Sequence, residues 1–242
     1  MKVALIIPCY NEQDSIIKLL KEIEALPVNQ LYSLHSIIIN DCSTDNTKGI
    51  LKQNNNFFLD LPVNLGIGGA VQTGYKYALQ NNFDIAIQLD GDGQHPPQEL
   101  EKLILPLINN QADVVIGSRF IEKEGFQSSF MRRTGINYFK RLNKFLIKKS
   151  ITDSTSGFRA INAKALKIVC DYYPDEYPEP EAIILFALNN LKIVEVPIVM
   201  REREGGISSI NSFKSLYYMV KVSLAMIFIY IRLRYNGKRN PL

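Results

Sequence analysis

Apolar residues recur along the first half of the chain in two alternating rhythms. Residues 3–7 form a short unbroken apolar run rich in β-branched side chains and closed by Pro8, the pattern of a strand buried on both faces of a parallel sheet. Over residues 13–26 the period changes, with Ile16, Ile17, Leu19, Leu20, Ile23 and Leu26 at helical spacing. The alternation continues with strands expected at 36–40, 57–61, 84–89 and 113–116 and helices at 44–53, 67–80 and 97–108; the last opens with prolines in its first turn. Strands that alternate with helices build βαβ units, so the expected fold is α/β with a Rossmann-like mixed, mainly parallel sheet flanked by helices, and a ligand crevice at the carboxyl ends of the strands. The second half is less regular: helices are expected at 131–147, 163–170 and 181–189 and a strand at 193–196. No internal repeat is present.

The polar clusters fall where that crevice should be. Residues 8–12 follow the first strand, 40–45 the second, 64–69 lie between the third and its helix, and 90–94 follow the fourth. In the last of these, Asp90-Gly91-Asp92 leaves a buried run, and the glycine lets the backbone turn tightly enough for both carboxylates to face one point. Two hard oxygen ligands plus the amide oxygen of Gln94 suit Mg2+ or Mn2+ that also takes oxygens from a diphosphate. An Asp-Gly pair equally marks an ordinary turn. His95 is read as a loop residue, because these metals take oxygen ligands.

Composition narrows the class. Of the 242 residues, 46% are hydrophobic and 21% charged, and no stretch is Pro/Gly/Ser-rich enough to be a linker, so one globular domain is expected over 1–211 with an extension at 212–242. Cys9, Cys42 and Cys170 lack the spacing of a zinc or redox motif and read as free thiols of a cytosolic protein. The first eight residues lack the basic region and cleavage site of a signal peptide. The net charge of +4 hides an asymmetry: residues 130–150 and 212–242 hold 13 of the 28 Lys and Arg and no acid, which leaves the remainder at −9. Such a division favours an anionic partner surface on one side. Residues 213–231 are strongly apolar but are interrupted by Lys221 and Ser223, and the run 224–231 is far shorter than the roughly 20 residues that span a bilayer. A basic amphipathic helix lying on the membrane surface is expected, its alternative being a helix packed on the core, on a second copy of the chain or on a membrane-protein partner.

Seven segments carry a resemblance: IIPCYNE (6–12), INDCSTDNT (39–47), NLGIGGAVQTGY (64–75), QLDGDGQHPP (88–97), VIGSRF (115–120), TSGFRA (155–160) and REREGGISSI (201–210). In this order the sequence resembles the family 2 glycosyltransferases of GT-A fold, and within them the dolichol-phosphate-mannose-synthase-like group that includes polyprenyl-phosphate sugar transferases. The resemblance implies an inverting, metal-dependent enzyme that moves a hexose from a UDP- or GDP-sugar to a polyprenyl phosphate at the inner leaflet, for cell-envelope glycan synthesis, with no nucleic-acid partner. By position it implies that Pro8, Tyr10, Glu12, Asp41, Gly69 and Asp90 line the donor, with Asp41 on the base or ribose. Asp90, Asp92 and Gln94 would form the metal and diphosphate set. Arg119, Arg132, Arg133, Arg159, Arg201, Arg203 and Ser208 would hold the acceptor phosphate or the diphosphate, Arg159 alternatively bracing its own loop. Cys9 and Cys42 depart from the small Ala and Gly commoner there.

Residue chemistry agrees with these roles. A departing nucleoside diphosphate gathers negative charge, which a metal and planar arginine forks stabilise; a single arginine is as well explained by an ion pair. Asp92 and Arg119 are therefore the candidate catalytic residues for a phosphate acceptor. A hydroxyl acceptor needs a base as well, for which the resemblance implies Glu181, because the YPEPE segment sits where many family 2 enzymes place an acidic base-bearing segment; the alternative is that Glu179 and Glu181 are charges at a helix N-terminus. The glycines at 66, 68, 69 and 74 lack G-x-G-x-x-G spacing, which argues against a dehydrogenase. A non-catalytic nucleotide-sugar binder that recruits a membrane partner is the rival of another class.

Overall fold

A computed structural model describes residues 1–122, 130–175, 177–201 and 212–239, without the side chains of 130–134, 212–216 and 236–239. The strands are β1 (Lys2–Cys9), β2 (Ser33–Asn40), β3 (Phe58–Asp60), β4 (Ile85–Gln88), β5 (Val114–Ser118), β6 (Arg159–Asn162) and β7 (Ile193–Pro197). The helices are α1 (Ile16–Glu24), α2 (Thr47–Gln53), α3 (Gly66–Gln80), α4 (Leu100–Ile108), α5 (Phe130–Ile147), α6 (Ala163–Asp171), α7 (Pro178–Leu188) and α8 (Ser212–Arg239).

The strands form one sheet in the order β3-β2-β1-β4-β6-β5-β7. Period-2 alternation sorts their side chains into two cores. From β1, Ala4 and Ile6 join α3, α6, α7 and α8 on one face, whereas Val3, Leu5, Ile7 and Cys9 join α1 and α4 on the other. This three-layer arrangement is why the strands read as unbroken apolar runs. Parallel pairing of β1 with both β2 and β4 puts their carboxyl ends on one edge. The chain passes β1, β2, β3 to one side and then returns to place β4 on the other, so the strand order reverses between β1 and β4.

Every expected strand and helix is present, with shifted ends. The element not anticipated is β6, antiparallel to β4 and β5. Its four residues have no period of their own, and their extended form comes from two neighbouring strands. The helix expected from residue 213 is α8, whose Val222, Met226 and Ile229 are buried in the core shared with α7. Its other face is exposed, with Tyr217, Val220, Leu224, Phe228, Ile231 and Tyr235 open to solvent. Among the described residues, no helix is long and apolar enough to cross a membrane.

Candidate active site

A cleft of about 500 Å³ opens at the switch between β1 and β4, the position where open α/β sheets hold ligands and a size that accepts a nucleoside diphosphate. Pro8, Tyr10 and Glu12 from the end of β1, Asp41 after β2, and Asp90 and Asp92 after β4 line it, as the sequence predicts. Gly66, Ile67 and Ala70 at the start of α3 complete the wall. Gly69, expected to line the donor, instead packs a bare backbone against Leu65 of the same turn.

The loop after β4 is held from three directions. The Asp90 amide donates to Nδ1 of His95 at 3.1 Å, and the imidazole stacks on Phe158 with ring centroids 4.7 Å apart. His95 is therefore a buried brace for the loop. The Gln94 amide donates to Oδ1 of Asp92 at 3.0 Å. Ser15 Oγ donates to the Gly91 carbonyl at 2.9 Å and lies 2.7 Å from Oε2 of Glu12, joining the two sides of the cleft. A Cβ at Gly91 would stand 2.9 Å from Sγ of Cys9 and 3.1 Å from the Pro8 carbonyl, so only glycine lets the turn lie this close to β1.

Two carboxylates in one cleft suit a hard divalent cation that takes its remaining ligands from a diphosphate and water. Among the described residues no group of three or more His, Cys, Asp or Glu could hold a metal by itself, so the two aspartates fit a shared site and not an all-protein cage. The backbone carbonyl of Gln94 accepts from the Arg201 amide at 3.0 Å, and Gln94 is not among the residues that line the cleft.

The arginines are placed differently from expectation. Arg119 forms a buried bidentate pair with Asp153, both bonds 2.7 Å, and also meets Thr155 Oγ1 at 3.1 Å. Arg159 donates to the carbonyls of Ser156, Glu179 and Ser154 and is 1% exposed. Arg201 forks onto both oxygens of Glu22 and reaches Gln98. The three described guanidinium groups expected to hold a substrate anion, those of Arg119, Arg159 and Arg201, thus bind protein oxygens, the bracing alternative for Arg159. The Arg132 and Arg133 side chains, Arg203 and Ser208 lie outside the described residues.

The two glutamates of YPEPE part company. Glu181 accepts from Tyr172 Oη at 2.8 Å and lies beside Arg232 of α8; burial raises its pKa. Burial raises the pKa of Glu179, Arg159 and its own backbone amide oppose this, and the charge of Asp90 raises it further, which puts Glu179 near Asp90 and Gln88. Residues two apart on a helix face in different directions, so only one of the pair can approach Asp90, and the structure selects Glu179 over Glu181. Gln88 Nε2 in turn lies 3.3 Å from Oδ1 of Asp90. A Cβ at Gly157 would come within 2.8 Å of that amide nitrogen, so the turn before β6 reaches the site only because it carries glycine. TSGFRA signalled this turn as a motif, without showing what it touches.

Asp41 is 3% exposed, and burial raises its pKa, while the Leu65 and Gly66 amides favour its charged form. Cys42 beside it holds φ at 56°, a left-handed backbone that glycine adopts without the strain a side chain brings.

A family model described as "Glycosyl transferase family 2" matches residues 4–169. The chain is 34% identical over 214 residues to the UDP-N-acetylglucosamine–dolichyl-phosphate N-acetylglucosaminyltransferase of Methanococcus voltae, covering 80% of this chain and 83% of that one. It is 27% identical over 230 residues to the polyprenol monophosphomannose synthase of Mycolicibacterium smegmatis, covering 90% and 84%. Among solved structures, the Mycobacterium tuberculosis glucosyl-3-phosphoglycerate synthase in complex with Mn2+, uridine diphosphate and phosphoglyceric acid shares the fold, with a TM-score of 0.68, 18% identity, and coverage of 96% of this chain and 78% of that one.

Proposed function

The chain belongs to glycosyl transferase family 2, and from that premise we propose that this glycosyltransferase moves a hexose from a UDP- or GDP-sugar to a polyprenyl phosphate, with inversion, at the cytoplasmic surface of a membrane. The observation that carries the reading is the pair Asp90 and Asp92 lining one cleft with Pro8, Tyr10 and Asp41 at the strand-order switch. Pro8, Tyr10 and Asp41 hold the nucleoside. Asp90 and Asp92 would hold Mg2+ or Mn2+, which when bound offsets the charge that develops on the departing diphosphate. His95 holds the Asp90 backbone, and the Gln94 amide holds the Asp92 carboxylate. A phosphate acceptor is already largely anionic near neutral pH and needs no base. Arg132, Arg133, Arg203 and Ser208 are the proposed acceptor-phosphate contacts.

The exposed side of α8 supports work at a lipid surface. Its six open apolar residues, Tyr217 to Tyr235, fall within an arc of roughly 80° and extend about 27 Å along the helix. Lys221, Arg232 and Arg234 flank the stripe with no acid between, and Phe145 of the adjoining α5 is 82% exposed. Apolar side chains entering a headgroup layer with cations at the rim suit an anionic leaflet. The same cations at the rim of a second copy would repel.

To test the function, the purified chain is incubated with labelled UDP-, GDP- and dTDP-hexoses, both metals, and vesicles containing a polyprenyl phosphate. One donor should yield a labelled lipid. If every donor leaves the lipid unlabelled, the reading is wrong.

The closeness of Glu179 to Asp90 and Gln88 favours a second reading, transfer to a sugar hydroxyl with Glu179 as base. A carboxylate with a raised pKa is the better proton acceptor. Glu179→Gln should then abolish turnover on a hydroxyl acceptor while Glu181→Gln retains it. Equal retention by both would exclude this reading.

A further inference from the structure

We propose that Gln88, the last residue of β4, is a positioning residue: its side-chain amide sets how the Asp90 carboxylate faces a divalent cation, and the turn at Gly157 keeps that amide in place. The inference rests on the nucleotide-sugar and metal reading above and deepens it.

The residue is out of character for its place. β4 reads Ile85-Ala86-Ile87-Gln88, and all four residues are buried. Ile85 and Ile87 join the core on the side of α1 and α4, while Ala86 joins the opposite core, so alternation turns Gln88 to the face of Ala86. Its neighbours in the two ladders are Ile6 of β1 and Arg159 of β6. Gln88 is 0% exposed, a depth at which a strand position is ordinarily apolar.

Its hydrogen bonds show what the exception costs and what it gains. Nε2 lies 3.3 Å from Oδ1 of Asp90. Against the burial that raises the pKa of Glu179, the same amide is one of the groups that favour its charged form. The nitrogen faces this way because a carbonyl oxygen would meet two carboxylates and find no donor on either. Oε1 is buried and, among the described residues, accepts no hydrogen bond. Arg159 does not serve it, having given Nε, Nη1 and Nη2 to three backbone carbonyls. An unmet buried carbonyl weakens the fold, and methionine, of similar length, would avoid that cost. The amide therefore lowers stability, and the contact it secures in exchange is the one with Asp90.

Asp90 has little else to orient its carboxylate. Nδ1 of His95 accepts from its backbone amide, but Nε2 of that ring stands 3.7 Å from Oδ2, beyond hydrogen-bonding reach. Gly157 closes over both side chains: a Cβ there would lie 2.8 Å from Nε2 of Gln88 and 3.5 Å from each carboxylate oxygen of Asp90. Hard cations hold their oxygen ligands at narrow distances, and the groups that orient a ligand typically change metal affinity by about 10- to 100-fold.

The test measures UDP and GDP binding to the whole chain by calorimetry, with and without Mn2+, and reads the factor by which Mn2+ tightens each. In Gln88→Met that factor should fall by about tenfold or more for whichever nucleotide binds, while affinity without metal stays within about twofold. Urea unfolding of the metal-free variant should show a midpoint equal to or above that of the parent, which a merely structural role would lower. Gly157→Ala leaves every polar group intact and displaces the Gln88 amide, so it should lower the same factor and carries the test if Gln88→Met does not fold. An unchanged factor in either folded variant overturns the proposal and leaves the glycosyltransferase reading untouched. A lowered midpoint with equal losses of affinity with and without metal also overturns it, since Gln88 would then be packing alone. If neither nucleotide binds the parent, or Mn2+ tightens neither, the metal reading under the proposed function falls as well.

Discussion

The two sides of the sheet use charge in opposite ways. On the side of β3, β2, β1 and β4, the acids Glu12, Asp41, Asp90 and Asp92 gather around one cleft. On the side of β6, β5 and β7, charge closes on itself: Arg119 grips Asp153, Arg159 grips three carbonyls, and Glu195 accepts from the amides of Thr152 and Asp153. The first side gathers four acids at one cleft, an arrangement that suits a divalent cation bound together with a diphosphate. The second uses cations as internal ties that hold the turn 153–157 against Asp90. One side meets the ligand, and the other keeps it in shape.

Breaking a tie should cost stability and little else. Arg119→Met leaves Asp153, whose side chain is wholly buried, without its partner, and removal of one member of a buried pair destabilises by about 3–5 kcal/mol. Urea unfolding should show that loss, with turnover per folded molecule close to that of the parent. A normal unfolding midpoint with lost turnover would instead restore Arg119 as a substrate contact and erase the contrast between the sides.

On the other side the expectation reverses. Asp90→Asn or Asp92→Asn should lower the rate of lipid labelling by roughly a hundredfold or more, the scale on which preorganised electrostatic contacts act, while the unfolding midpoint changes little. The apparent Mn2+ affinity, measured by titration, should fall with it. A variant that transfers sugar at the parent rate would remove Asp90 and Asp92 from the chemistry.

The smallest effect is expected at the helix outside both regions. Leu224→Glu with Phe228→Glu places two charges in the exposed stripe of α8, and each buried side chain of this size contributes about 1.5–3 kcal/mol. Cosedimentation with anionic vesicles should drop by roughly tenfold or more, without loss of nucleotide binding. Undiminished vesicle binding would show that α8 faces something other than lipid.

Much of this was legible in the residue pattern, and the reason differs from place to place. Residues 3–7 and 16–26 announce their elements because period and burial are local properties that a few neighbours impose. The cleft acids were legible for a related reason: parallel strands put all their carboxyl ends on one edge, so loops far apart in sequence must converge. The strand β6 was not, because its extended form depends on β4 and β5 flanking it.

By itself, then, the sequence determined the layers, the location of the cleft and the acids that line it, since all three follow from short-range period and the direction of βαβ units. Only the tertiary structure decided that Glu179 and not Glu181 approaches Asp90, that Arg119, Arg159 and Arg201 bind protein oxygens, and that Asp41 has given one oxygen to Leu65. Those outcomes depend on the rotation of a helix and on partners up to 179 residues apart, and a hydrogen bond forms only where donor and acceptor meet within about 3 Å, a condition that sequence spacing does not express.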